Sequence, residues 1–290
     1  MGKIHIGISG WRYEPWRGVF YPEDLRQDDE LAFASRALSS IELNGSFYAL
    51  QKPDSYAKWY QATPKNFIFS IKGNRFITHT KRLKDIDGPL ANVLASAVFN
   101  LREKLGPFLW QFPPNLQFDS ERMEHFLSLL PHDTVEGLSC ARRHEARMEG
   151  KVALDVDKKR KMRHALEIRH DSFIDEAFIA MLRKYQVALV VADTARQWPY
   201  YEDICADFMY QRLHGDKELY ASGYCEVALD RWAEPIRAWS GGSQPHDARL
   251  ISAKAGPKKA SRDVYCYFDN DIKVRAPFDA KRLIEKLGPA

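Results

Sequence analysis

The sequence predicts a single-domain α/β fold of the (β/α)8, or TIM-barrel, class. Three observations support this prediction: a chain of 290 residues, strand-like segments that alternate with helix-like segments, and a total of eight strand-like segments. Barrels of this class usually have about 250 residues and accept insertions. Strands that alternate with helices form a parallel sheet, and eight such units can close it into a barrel. Residues 1–290 are therefore assigned to one barrel domain.

The strand-like segments are short runs rich in β-branched and aromatic residues. They cover residues 4–9, 40–44, 67–72, 108–112, 165–169, 187–193, 208–214 and 264–268. In the helix-like segments, apolar residues recur every three or four positions, as in a helix with one buried face. These segments cover residues 28–38, 55–62, 90–105, 120–130, 175–185, 226–240 and 279–287.

Two connections are longer than ordinary loops: residues 113–164, between the fourth and fifth strands, and residues 215–263, between the seventh and eighth. Each contains a basic segment. Residues 142–163 hold nine Lys or Arg against four Asp or Glu, and residues 254–262 hold four basic residues and no acid. Such runs usually form a solvated surface. They also leave open a nucleic-acid-binding protein, in which the basic segments contact phosphates and aromatic residues of the first loop stack on bases.

Composition and charge exclude several classes of protein. Hydrophobic residues at 45% and charged residues at 28% are ordinary globular values, which excludes a disordered or collagen-like chain. No apolar run approaches the ~20 residues of a membrane span, and the chain opens in a strand without a signal peptide, so we expect a cytoplasmic protein. The four cysteines form no Cys-x-x-Cys pair and indicate neither a zinc site nor a disulfide framework.

Side chains alternate between the two faces of a strand, and this alternation identifies a candidate site. In the second strand Ile41 and Leu43 share one face, which leaves Glu42 and Asn44 on the other. Other strands also carry polar residues near their carboxyl ends, where barrel enzymes place their chemistry. The candidate site residues are Trp11, Tyr13, Glu42, Asn44, Lys72, Gln111, Glu167, Arg169, Asp193, Arg212, His214 and Asn270.

Motifs at these strand ends resemble those of the YecE-like family, known as domain of unknown function 72, and the resemblance covers nearly the whole chain. They include Gly7-Ile8-Ser9-Gly10-Trp11, Ile41-Glu42-Leu43-Asn44, Gln111-Phe112-Pro113-Pro114, Leu166-Glu167-Ile168-Arg169-His170, Arg212-Leu213-His214-Gly215 and Tyr267-Phe268-Asp269-Asn270-Asp271. The resemblance implies a (β/α)8 barrel. It implies no particular reaction, because the family has no established activity. The sequence departs from the family at Phe173, where the family commonly shows Trp.

The polar residues at the strand ends predict an enzyme of hydrolase or lyase type. Glu42 and Glu167 are expected to act as acid and base, since two carboxyl groups in unlike environments can divide these roles. An anionic substrate would be held by cationic and imidazole side chains, and many barrels bind phosphate at this end. The residues expected to hold the anion are Lys72, Arg169, Arg212 and His214. A phosphorylated or other small anionic ligand is therefore the expected partner.

Two alternatives use the same residues. Glu42, Glu167, Asp193 and His214 are oxygen and nitrogen donors that would suit a divalent metal, as in a phosphodiesterase of the endonuclease-IV type. Three neighbouring cations disfavour that metal, and no other cofactor is indicated. The second alternative is a buried ion network that only closes the barrel. The sequence does not indicate an oligomeric state.

Overall fold

Eight parallel strands close a barrel in chain order in the computed structural model, which describes residues 1–288. The strands are β1 (Ile4–Ser9), β2 (Ser40–Leu43), β3 (Ile68–Lys72), β4 (Leu105–Gln111), β5 (His164–Glu167), β6 (Ala188–Asp193), β7 (Phe208–Leu213) and β8 (Asp263–Phe268). The barrel closes where β8 pairs with β1, for example at Cys266 and Ile6. The prediction of a TIM-type barrel is confirmed, and each predicted strand overlaps an observed one.

Helices surround this sheet. They are α1 (Glu30–Ala37), α2 (Gly45–Tyr48), α3 (Pro53–Ala62), α4 (Asp87–Ala95), α5 (Ser120–Leu129), α6 (Thr134–Ala141), α7 (Glu176–Lys184), α8 (Glu226–Ser240) and α9 (Ala276–Leu287). Three of them begin after an aspartate whose carboxylate accepts hydrogen bonds from N–H groups of the first turn, namely Asp119, Asp133 and Asp175. Within residues 1–288, every helix is too short or too polar to cross a membrane.

The helix predicted over residues 90–105 is interrupted. It ends at Ala95, Ala97 adopts a left-handed conformation (φ 74°), and residues 98–104 form tight 3-10 turns. Gly106 and Pro107 do not end a helix but lie in β4. A Cβ at Gly106 would lie 2.6 Å from Ile68 Cγ2, so glycine here permits the close approach of β3 to β4.

The space inside the barrel holds a small apolar cluster together with several polar groups, whereas the large apolar core lies between the sheet and the helices. Tyr210 and Tyr267 point inward, and their hydroxyl groups lie 2.7 Å from the hydroxyl groups of Ser70 and Ser40. All four side chains are fully buried. A hydrogen-bonded layer of hydroxyl groups therefore supports the charged residues at the carboxyl ends of the strands.

Both basic segments end at the amino end of the barrel. Residues 142–163 lead into the first residue of β5, and residues 254–262 lead into the first residue of β8. Arg163 pairs there with Asp207 (3.4 Å) and Asp263 (2.7 Å). The first loop, which carries Trp11 and Tyr13, follows the carboxyl end of β1. The first half of the longer segment lies elsewhere: Arg147 lines a small cavity with Tyr48 and Phe76, close to the carboxyl end of the barrel.

Candidate active site at the carboxyl end of the barrel

A buried arginine lies at the centre of the candidate site. Arg212, on β7, has no solvent exposure and donates hydrogen bonds to three carboxylates. Its Nη2 lies 2.8 Å from Glu42 Oε1 and 2.8 Å from Asp269 Oδ2, and its Nη1 lies 2.7 Å from Glu167 Oε2. The carboxylates come from β2, β5 and the residue after β8. These four residues, here called the Arg212 cluster, therefore connect β2, β5, β7 and the end of β8 across the barrel.

Glu42 is enclosed entirely by donors. Its Oε1 accepts from Ser9 Oγ (2.7 Å) and from Arg212, and its Oε2 accepts from Tyr210 OH (2.7 Å) and from Arg212 Nε (3.1 Å). The side chain has no solvent exposure. Four hydrogen bonds use the accepting capacity of the carboxylate, so Glu42 fixes the position of the arginine.

Glu167 is enclosed in the same way. Gln111 Nε2 (3.0 Å) and Arg169 Nε (2.8 Å) donate to its Oε1, opposite the oxygen that Arg212 contacts. Burial by itself would raise the pKa of Glu167, but the charges of Arg169 and Arg212 outweigh burial and hold the pKa well below its usual range. Glu167 is therefore ionised near neutral pH.

His214 completes the ring around Arg212. Its Nε2 lies 3.3 Å from Arg212 Nη1, and its Nδ1 lies 3.1 Å from Asp269 Oδ2. Burial favours the neutral acid form of Asp269, yet Arg212 and His214 reverse that effect and lower the pKa of this carboxyl group. The site thus holds three carboxylates against the two guanidinium groups of Arg212 and Arg169.

An open cavity of about 920 Å³ lies above the cluster. Its walls come from the first loop, from α2 and α3, and from the segment after β8. Six of the residues that line it are Trp11, Tyr13, Asn44, Trp59, Lys72 and Gln111. Trp11 and Trp59 meet edge to face, with ring centroids 5.5 Å apart. The cavity therefore has an aromatic wall and a polar floor, which suits a small organic ligand.

Lys72, the last residue of β3, differs from the other cations of the site. Only 8% of it is exposed, and its Nζ lies 4.6 Å from the centre of the Phe47 ring. Within residues 1–288, Nζ has neither an ion pair nor a hydrogen bond. Burial, reinforced by the charge of Arg212, lowers the pKa of Lys72. Lys72 thus presents an amino group to the cavity.

A tyrosine and an aspartate line the same cavity. The hydroxyl group of Tyr13 donates to the carbonyl oxygen of Ser9, which keeps the first loop against β1. Asp271 lines the cavity beside it, and burial, together with the negative charge of Asp269, raises the pKa of Asp271 to about 6. Asp271 can therefore exchange a proton close to neutral pH.

Seven predicted site residues do not line this cavity. Four of them, Glu42, Glu167, Arg212 and His214, are buried beneath it, and the other three lie elsewhere. Asp193 lines a second cavity of about 790 Å³, where it accepts a hydrogen bond from Tyr224 OH (3.0 Å). Asn270 is fully buried and donates to Asp279 Oδ2 (2.8 Å) and to a backbone carbonyl. The guanidinium group of Arg169 lies 3.7 Å from the centre of the Trp198 ring. These residues support the site from behind and from the side.

The aromatic residues expected near the mouth divide into two groups. Trp11 and Tyr13 line the cavity, whereas Trp16 and Tyr21 are buried in the core. Phe173, which replaces the Trp common in the family, is also buried and lies 5.6 Å from Phe112 between ring centres. It packs between helices and does not reach a ligand.

The metal-ligand set proposed as an alternative is not assembled. Among residues 1–288, no three His, Cys, Asp or Glu side chains form a group that could hold a metal ion. Arg212 occupies the space between Glu42 and Glu167, and His214 faces the same guanidinium group. Asp193 points into the other cavity. These donors therefore bind a cationic side chain of the protein itself.

Several residues of the site were not predicted. Asp269 and Asp271 follow β8 on either side of the chosen Asn270, and strand alternation distinguishes them: Asp269 shares the inward face of Tyr265 and Tyr267. Applied to β8, the alternation would therefore have selected Asp269. Trp59 lies on α3, and no periodic signal in the sequence brings a helix residue into the barrel mouth.

The fold and this site define a TIM-barrel protein with a buried ion cluster beneath an open cavity. The chain belongs to the family described as "Protein of unknown function DUF72", whose model matches residues 5–290. This confirms the resemblance derived from the strand-end motifs.

Relatives and solved structures agree with that assignment. The UPF0759 protein YunF of Bacillus subtilis is 28% identical over 38% of this chain and 40% of its own length. The UPF0759 protein YecE of Escherichia coli is 26% identical over 47% of each chain. The chain therefore matches less than half the length of these curated relatives. A DUF72 family protein from Thermotoga maritima has a TM-score of 0.73 and 23% identity over 98% of this chain and 99% of its own. One from Enterococcus faecalis has a TM-score of 0.69 and 16% identity over 99% and 96%. These structures share the fold.

Proposed function

We propose that the protein is an enzyme, of hydrolase or lyase type, that acts on a small phosphorylated or otherwise anionic substrate in the 920 Å³ cavity. The observation that carries this proposal is Lys72. Its amino group is almost buried, it faces the cavity, and within residues 1–288 it contacts the Phe47 ring but has no carboxylate or hydrogen-bond acceptor as a partner. A buried charge without a partner is costly, and a bound anion would remove that cost.

The charges around Lys72 support the same class of ligand. Burial lowers the pKa of His79 to about 4, and the positive charges of Arg169, Arg75 and Lys72 contribute to that shift. At His79, these three cations thus outweigh the carboxylate of Glu167. Trp11 and Trp59 offer an apolar surface to the carbon skeleton of the ligand. A small organic anion satisfies both features.

The proposed roles follow from accessibility. Glu42 and Glu167 have no solvent exposure and are fully hydrogen-bonded, so they position Arg212 and Arg169 instead of transferring protons to the substrate. Asp271, which lines the cavity and has a pKa of about 6, is assigned the proton transfer. The nucleic-acid alternative receives less support, because several basic residues of segment 142–163 already pair with carboxylates of this chain, such as Lys159 with Asp133 and Arg163 with Asp263.

The test compares ligand binding by the wild type, Lys72→Met and Lys58→Met. Lys58 is the matched control, because it also lines the cavity but is solvent-exposed. Thermal midpoints would be measured with rising inorganic phosphate and glycerol phosphate at constant ionic strength. We expect stabilisation of the wild type, a loss of affinity of about tenfold or more in Lys72→Met, and little change in Lys58→Met. Equal binding by the wild type and Lys72→Met would refute the proposal.

A further inference from the structure

We propose that Lys72 is a nucleophile that forms an imine with a ketone or aldehyde group of the substrate. The inference rests on the proposed function and narrows its substrate class to organic anions that also carry a carbonyl group. An amine-dependent lyase would cleave a bond next to that carbonyl carbon, because the imine nitrogen withdraws electrons from it.

The placement of Nζ supports this role. A lysine that only stabilises a fold usually donates its protons to fixed acceptors, and Lys104 shows this pattern in the same molecule. Lys104 is 4% exposed, and its Nζ donates to the carbonyl oxygens of Tyr60 and Thr63, the latter at 2.8 Å. Nζ of Lys72 is equally secluded but faces the cavity and has no such acceptor within residues 1–288. Its nitrogen is free to approach a ligand.

The surroundings of Lys72 also favour the reactive neutral form. Burial and the nearby charge of Arg212 lower the pKa of the Lys72 amino group. At a pH below that pKa, lowering it by one unit increases the fraction of neutral amine about tenfold. The Phe47 ring excludes water from one side of Nζ. These are the two conditions, an apolar neighbour and a nearby cation, under which lysines act as nucleophiles.

The step balances with groups that line the cavity. The lone pair of Lys72 Nζ adds to the carbonyl carbon. A proton then moves from this nitrogen to the former carbonyl oxygen, which gives a carbinolamine. Asp271, in its acid form, gives a second proton to this oxygen, which leaves as water when the nitrogen lone pair forms the C=N bond. The product is an iminium ion, water and the Asp271 carboxylate. The iminium nitrogen carries a positive charge, so an anionic group of the substrate next to the carbonyl still lies beside a cation.

The test traps this bond with glyoxylate, a small organic anion that carries an aldehyde. The full-length protein is treated with glyoxylate and borohydride near neutral pH, and modified lysines are located by peptide mass spectrometry. Two lysines of the same chain are internal controls: Lys58 lines the cavity but is exposed, and Lys104 is buried but bonded. We expect the modified fraction of Lys72 to exceed that of either control at least tenfold. The thermal midpoint of Lys72→Arg shows whether that variant is folded, and we expect it to lose the modification at this position only.

Glycolate, which has the same charge but no carbonyl group, separates the imine from the anion site. Stabilisation by glycolate together with trapping at Lys72 supports both. Stabilisation without preferential trapping at Lys72 overturns the imine and leaves the anion site standing. Trapping at Lys72 without stabilisation by glycolate supports the imine and overturns the preference for anions. A Lys72 modified no more than Lys58, in a folded protein that glycolate does not stabilise, overturns both.

Discussion

Replacing Glu42 with glutamine tests whether the Arg212 cluster is primarily structural. The carboxylate accepts four hydrogen bonds from Ser9, Tyr210 and Arg212, two on each oxygen. Glutamine keeps the shape but replaces one accepting oxygen with an NH2 group, which would then face two donors. Two hydrogen bonds are lost in a site without water. At about 1.5–3 kcal/mol for each hydrogen bond to a charged group, the expected destabilisation is roughly 3–6 kcal/mol.

The assay is the thermal midpoint near neutral pH, measured by circular dichroism. For a chain of this size, a loss of about 1 kcal/mol lowers the midpoint by roughly 2–4 °C, so a drop of about 6 °C or more is expected for Glu42→Gln. Glu14→Gln is the control, since Glu14 is exposed and its change should stay within about 0.5 kcal/mol. A midpoint that is unchanged or higher in Glu42→Gln would refute this reasoning. Removing the charge of a strained functional carboxylate leaves the fold as stable or makes it more stable, whereas removing that of a structural carboxylate destabilises it.

Three further changes test other parts of the site. The fold raises the pKa of Asp271 to about 6 from an ordinary 3.8, so its contribution to stability is present below pH ~4 and is lost as the pH rises through 6. Asp271→Asn should therefore be more stable than the wild type by up to about 3 kcal/mol at neutral pH, and no more stable at pH ~4. Urea titrations at both pH values would measure this difference. Gly73→Ala should cost about 1–3 kcal/mol in the same measurement, since the new Cβ would lie 2.3 Å from Trp110 Cε3; an unaltered midpoint would contradict the close packing behind Lys72. Asp193→Asn should leave phosphate affinity within about twofold of wild type, because Asp193 lines the second cavity; a tenfold loss would show that the two cavities communicate.

Strand alternation explains both the successes and the errors of the sequence analysis. Glu42, Glu167 and Arg212 occupy inward positions on three strands, and closure of the barrel brings them into contact. Asp193 was chosen only because it ends a strand, yet it shares the outward face of Leu189 and Val191. The two-residue alternation shows which residues point into the barrel, provided that it is applied at every strand end.

Other features could not be predicted from local sequence. The sequence left open whether Glu42 and Arg212 form a buried ion network or face a ligand, and only the three-dimensional packing shows that neither side chain is exposed. Gly106 and Pro107 commonly end helices, but here they lie in β4, where the missing side chain of glycine allows the neighbouring strand to approach. Lys72 was selected because it lies at the end of a strand, but only its surroundings show that its amino group is unbonded, whereas that of Lys104 is hydrogen-bonded.

The Arg212 cluster also bears on the order of events in folding. Its contacts join residues far apart in the chain: Ser9 and Glu42 lie 203 and 170 positions before Arg212, and Asp269 lies 57 positions after it. A chain that has emerged only as far as β6 contains Glu42 and Glu167 without their arginine, so both carboxylates stay hydrated until β7 arrives. Interactions that form after the rate-limiting step slow unfolding without speeding folding. We therefore expect the cluster to form late in folding, to slow the unfolding of the closed barrel and to leave its folding rate almost unchanged.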